Sequence, residues 1–192
     1  MTIDIQNQAE DNLRFIRSAM ERAERVSAVS GAGAMLMGVI ALVAMAVGAG
    51  IDEPLARLLV WIGSAFVAGI TGALACWIKA RRKELSFFGD PGRRFFLCLI
   101  PSLLVGVVLT VSLLSTPEMT LLPGLWMMLY GAGVLAAGTY AAAPVMHMGG
   151  AFVISGLFTH ALPDSWSNVL LGLAFGGFHL YFGFQVYRHH GG

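Results

Sequence analysis

No Asp, Glu, Lys or Arg occurs inside any of six long apolar runs: Gly31 to Gly50, Leu58 to Ile78, Phe95 to Leu114, Leu121 to Ala143, Val145 to Leu162 and Val169 to Tyr187. A helix rises 1.5 Å per residue, so roughly 20 such residues cross a hydrocarbon layer of about 30 Å. A chain built from runs of that length has little choice but to form membrane-spanning helices, which keep every backbone polar group paired within the segment. Composition agrees. Only 12% of the residues are charged, against about 25% in a soluble domain, too few to cover a water-facing surface. The expected class is therefore all-α, a polytopic bundle of six spans over residues 31–187. It is preceded by a polar segment, residues 1–30, and followed by a short tail, residues 188–192.

The fourth and fifth runs meet at Pro144, where the missing N–H and the ring clash are expected to stop the helix. Without that break, Leu121 to Leu162 would be twice a bilayer crossing. The alternative, one kinked helix plus a re-entrant piece, leaves an odd number of spans. The first thirty or so residues are polar and charged and do not read as a cleavable signal.

Cations orient the bundle. Arg14, Arg17, Arg22 and Arg25 precede the first span, Lys79, Arg81, Arg82, Lys83, Arg93 and Arg94 lie between the second and third, and Arg188 follows the sixth. With an even number of spans all three groups share one side and only Arg57 lies on the other. The positive-inside rule makes that side the cytoplasm and places both termini there. The outer connections carry Asp52, Glu53, Glu118 and Asp164. Four carboxylates on one face are a cation-site candidate. The structural alternative is that Asp52, Thr116 and Asp164 mark helix N-termini, where short oxygen-bearing side chains and acids are favoured.

The segment "NQAEDNLRFIRSAMERAERVSAV" reads as an amphipathic cytoplasmic helix. Asn7 and Glu10 have capping-box spacing, and Leu13, Ile16, Met20 and Ala23 recur at helical intervals as a narrow apolar stripe. Glu10 to Arg14, Arg17 to Glu21 and Glu21 to Arg25 are i, i+4 pairs of opposite charge. Helices that lie on membranes are richer in Lys and Arg, so this stripe fits the protein's own cytoplasmic surface, a second copy or a soluble partner. The loop "KARRKELSFFGDPGRR" offers Lys79, Arg81, Arg82, Lys83, Arg93 and Arg94 to anionic lipid headgroups, or serves topology alone. Net charge is +1, and no global field points to nucleic acid.

Candidate chemistry is sparse. The absence of acids and cations within the spans argues against a proton- or ion-coupled transporter. His147, His160 and His179 remain. His147 and His160 lie about 20 Å apart along the axis but point about 140° apart, which does not suit paired haems. Cys76, Cys98, Met146, His147 and Met148 gather soft ligands near the cytoplasmic ends of three spans, a set suited to Cu(I). Flexible Met used as packing filler is the simpler account. His179 is the most interior ionisable group. Gly172, Gly176 and Gly183 fall within about 60° of it at 100° per residue, and Gly172 with Gly176 is a G-x-x-x-G of the kind that lets membrane helices approach closely. His179 is thus expected to face the bundle, either as a neutral hydrogen-bonding group or as a titrating, ligand-binding one.

The stretches "NLRFIRSAMERAERVSAVSGAGAML", "LWMMLYGAGVLAAGTY" and "FGGFHLYFGFQVYRHHGG" resemble a group of uncharacterised bacterial six-span membrane proteins. The resemblance implies the topology and a bacterial inner membrane, and brings no functional residue with it. The expected role is non-enzymatic and without a cofactor. It works in the bilayer through helix packing, with a second copy or a cytoplasmic or membrane protein as partner. The alternative is a small transporter or channel for an uncharged substrate. Convergence of Thr139, Tyr140 and Thr159 on a water-lined path would favour that alternative, and a filled interior would favour the first reading.

Overall fold

The computed structural model describes residues 8, 10–17, 29–82 and 90–190, and among them all regular structure is helical. The helices are α1 (Gly31–Gly48), α2 (Pro54–Arg82), α3 (Asp90–Leu113), α4 (Leu122–Gly138) and α5 (Ala143–Thr159). The last stretch is one helical trace wound in three ways: α6 (Ser167–Leu171), a π-helix (Gly172–Phe178) and α7 (His179–His190). Among the described residues five stretches are long and apolar enough to cross a bilayer: Gly31–Gly48, Pro54–Arg82, Gly92–Leu113, Pro117–Gly138 and Asp164–His189. Ala143–Thr159 is apolar but shorter, at 17 residues. The architecture fits a helical multi-pass membrane protein.

Local chemistry accounts for most boundaries. Ser30 caps α1, its Oγ accepting from the Gly33 N–H at 3.2 Å, as short hydroxyl side chains do at helix starts. At the start of α2 the cap is Glu53, not Asp52. Its carboxylate accepts from the N–H groups of Leu55 and Ala56, because the longer side chain reaches past Pro54. Thr116 makes no capping bond and instead donates to the Leu113 carbonyl. The break between the fourth and fifth runs also differs from expectation. α4 ends at Gly138, Ala142 is extended, and Pro144 lies inside the first turn of α5. Proline is tolerated there because the first N–H groups of a helix have no intrahelical partner.

The helices pack in a row. α2 rests on α1, α1 on the π-helix and α7, these on α5, α5 on α4, and α4 on α3. α2 and α3 are the flanks, and they turn Phe66, Ile70, Val108 and Val111 outward. Lipid tails are as apolar as these side chains, so burying them against another helix gains little, and association rests on close packing. Two antiparallel glycine seams supply it. Between α4 and α5, a Cβ on Gly131 would stand 2.7 Å from both Gly149 O and Val153 N, and one on Gly149 would stand 2.6 Å from Leu135 N. Between α1 and the last stretch, a Cβ on Gly31 would meet Gly183 O at 2.6 Å and one on Gly38 would meet Gly176 O at 2.8 Å. Backbone thus touches backbone along both seams. By contrast, a Cβ on Gly69, on the outer face of α2, would meet nothing within 4 Å.

This contrast sets an expectation for stability in detergent. Gly131→Ala forces two backbones apart and should cost about 1–3 kcal/mol, the range for overpacking a tight core. Gly69→Ala adds a methyl to open space and removes a helix-disfavouring glycine, so its thermal midpoint should stay level or rise. Equal losses in the two variants would show that the seams are not what limits stability.

Candidate functional site

The centre of the bundle is built where α4, α5 and the π-helix meet. Phe152 of α5 is fully buried. Its ring makes an edge contact with Tyr130 of α4, at 4.9 Å between centroids, and a tilted one with Phe175 at 4.8 Å. His179 enters this aromatic cluster with only 2% of its surface exposed. Its Nδ1 lies 2.8 Å from the Phe175 carbonyl and its Nε2 lies 2.8 Å from the Tyr130 hydroxyl. A carbonyl only accepts, so Nδ1 carries the hydrogen. Nε2 of the neutral ring is then an acceptor, and Tyr130 donates to it. The neutral imidazole satisfies all three groups at once, as a buried polar group requires. Among the described residues no buried side-chain nitrogen or oxygen lacks a partner.

The surroundings of His179 correct part of the sequence expectation. Gly172, Gly176, His179 and Gly183 are all buried, and His179 faces the bundle. Yet a regular helix would set His179 almost directly above Gly172, seven residues before it. The π winding between them opens each turn to an i→i+5 bond and turns His179 away from Gly172. Gly172, Gly176 and Gly183 lie against Met45, Leu42 and Ala34 of α1, whereas His179 faces α4 and α5.

A second polar node closes one end of the bundle. Asn168 of α6 accepts from Trp61 Nε1 at 3.0 Å and donates to Met45 O at 2.9 Å, so it ties α2, α6 and α1 together. Arg57 beside it donates from Nε and Nη2 to Ile51 O at 3.0 and 2.7 Å. Neither Tyr130 nor the Asn168–Trp61 pair stands out in the sequence. The available signals are a phenol in the middle of a span and an amide at its mouth.

The other candidates do not converge. Met148 is buried while Met146 and His147 are exposed, because successive helical residues project about 100° apart. Cys76 and Cys98 sit on the two flanking helices, α2 and α3, which pack on different neighbours. Among the described residues no three His, Cys, Asp or Glu side chains group to hold a metal ion. His160 is exposed at the end of α5 and lies over Gly124. Lys79 does not belong to the headgroup surface. Its side chain is buried and donates to Val29 O at 2.9 Å, pinning α2 to the entry of α1. Arg81, Arg82, Arg93 and Arg94 are exposed, with Arg81 over the Trp77 ring and Arg94 over Tyr140. Lys83 lies outside the described residues. Of the amphipathic stripe, Leu13 and Ile16 are described, both exposed on a helical segment, and Glu10 pairs with Arg14 at 3.9 Å. Met20, Ala23, Asn7 and the pairs through Glu21 lie outside the described residues.

No protein-family model, curated protein or solved structure matches this chain.

The His179–Tyr130 bond is expected to behave as a structural contact. Tyr130→Phe and His179→Phe should each lower the thermal midpoint modestly. Their double-mutant coupling should be near the average of about 0.6 kcal/mol for hydrogen bonds between membrane helices. A coupling of zero would mean that the two groups do not interact in the folded protein.

Proposed function

We propose that this chain is a six-span protein of a bacterial inner membrane with both termini in the cytoplasm, and that it acts without catalysis, through helix packing and a cytoplasmic partner or second copy. The observation that carries this reading is the filled centre. Where a transport path would run, Phe152, Phe175, Tyr130 and His179 pack ring against ring, and both ring nitrogens of His179 are engaged. The hydroxyls that would have lined such a path are dispersed. Thr139 follows the end of α4 and donates to Ala136 O, while Thr159 sits at the far end of the antiparallel α5 and donates to Ser155 O. Both bond their own helix.

The sixth crossing is supported by register. α5 runs antiparallel to α4 from the Gly138–Met146 contact at one end to the Gly124–Gly156 contact at the other. Its 17 residues span about 25 Å, close to the hydrocarbon thickness. α5 therefore accompanies its neighbour across the layer and returns the chain for the last span. The partner surface in this reading is the cytoplasmic stripe of Leu13, Ile16, Met20 and Ala23, with Arg81, Arg82, Lys83, Arg93 and Arg94 near anionic headgroups.

Two measurements test this. A fluorescent reporter that matures only in the cytoplasm should light at either terminus, and a dark C-terminal fusion beside a bright N-terminal one would remove the sixth span. Ile16→Glu places a charge in the stripe, so it should change native-gel mobility or the proteins that copurify while leaving insertion intact. Unchanged mobility and unchanged copurifying proteins would remove the partner role.

A further inference from the structure

The outward side of the α1–α2 pair holds a furrow of about 360 Å³. Val39, Val43 and Val47 line it from α1, and Val60, Ser64 and Val67 from α2. The Ser64 hydroxyl is turned back to Trp61 O at 2.8 Å, so the lining surface is apolar. From Val39 to Val47 the furrow runs about 12 Å along the helix axis, close to half of a hydrocarbon layer about 30 Å thick. It is thus one leaflet deep, reaching from mid-membrane to the α1–α2 turn.

The turn supplies charges of both signs at its mouth. Arg57 stands one turn beyond Val60 on the same face of α2, and its Cγ lies 3.4 Å from where a Cβ on Gly48 would be, next to Val47. Nε and Nη2 hold the guanidinium on the carbonyls of Ile51 and Asp52. Among the described residues Nη1 has no partner, so two of the five N–H donors of this half-buried side chain are left unused by the protein. Glu53 is occupied by the N–H groups of Leu55 and Ala56. Asp52, whose backbone carbonyl accepts from Arg57 Nη2, is exposed in the same turn. One cation with one available carboxylate, above a one-leaflet apolar furrow, matches a zwitterion on an acyl chain better than a net anion.

We propose that this furrow seats an acyl chain of an aminophospholipid, with its phosphate on Arg57 Nη1 and its primary ammonium on Asp52. The site rests on the bilayer placement above and not on the orientation, so reporter fusions and lipid binding fail independently. The test is native mass spectrometry of the full chain in detergent, titrated separately with phosphatidylethanolamine, phosphatidylcholine and phosphatidylglycerol of identical acyl chains. Wild type should retain one phosphatidylethanolamine in preference to the other two. Val43→Phe fills the furrow from an exposed position and should abolish retention, whereas Val108→Phe on the outer face of α3 should not. Arg57→Gln should weaken binding about tenfold, the effect of one hydrogen bond to a charged group. Asp52→Asn, which touches no structural bond, should erase the preference over phosphatidylcholine. Retention by Val43→Phe equal to wild type, or phosphatidylglycerol bound as tightly as phosphatidylethanolamine, overturns the proposal.

Discussion

Backbone-to-backbone contact through glycine is the constraint on which the rest of this structure depends. In hydrocarbon there is no hydrophobic force to gather helices, because lipid and side chain are equally apolar. What remains is dispersion, which falls off steeply with distance. The seams at Gly131–Gly149 and Gly31–Gly183 bring backbones within contact distance and so gather many such contacts per turn. Each seam is antiparallel and each joins two helices into a slab. The aromatic centre forms where the slabs meet, between α5 of one and the π-helix of the other.

That meeting place explains the winding of the last span. α1 needs its glycines on one face, and α4 and α5 need His179 on another. A uniform helix would put Gly172 and His179 close to the same azimuth. The π turn lets one helix serve both neighbours. It also places the Phe175 carbonyl within reach of His179 Nδ1, which fixes the tautomer and leaves Nε2 to accept from Tyr130. The histidine is therefore interior because two helices and its own backbone satisfy it. This arrangement favours a structural role over a titrating one.

The polar residues away from the centre work at the ends. Lys79 holds the entry of α1, and Asn168 with Trp61 joins three helices at the opposite end. Both are side chain contacts across helices that hydropathy alone would leave to the headgroup region. Between these ends the flanking helices α2 and α3 present almost unbroken apolar surface. The furrow beside α1 continues that apolar surface toward the turn that carries Arg57 and Asp52. The parts of the protein open to chemistry are thus peripheral: the furrow, the exposed arginines Arg81, Arg82, Arg93 and Arg94, and the exposed Leu13 and Ile16.

Sequence alone determined the helical class, the approximate place of each long apolar segment and the interior position of His179. All three follow from one-dimensional quantities: run length against bilayer thickness, the absence of charge, and helical periodicity. The close approach at Gly172 and Gly176 was legible for the same reason, since G-x-x-x-G is a local spacing. Tertiary structure alone decided which face met which helix. The π winding left no mark that a 100° wheel could register, so the turn of His179 away from Gly172 was invisible. Tyr130 meets His179 across 49 residues of chain, and Asn168 meets Trp61 across 107. Lys79 read as one more surface cation because its acceptor, the Val29 carbonyl, lies 50 residues away. Met146, His147 and Met148 looked like a cluster because they are adjacent in sequence, but a helix sends adjacent side chains to different sides. Hydropathy is summed along the chain and survives folding, whereas a hydrogen-bond partner is chosen in three dimensions.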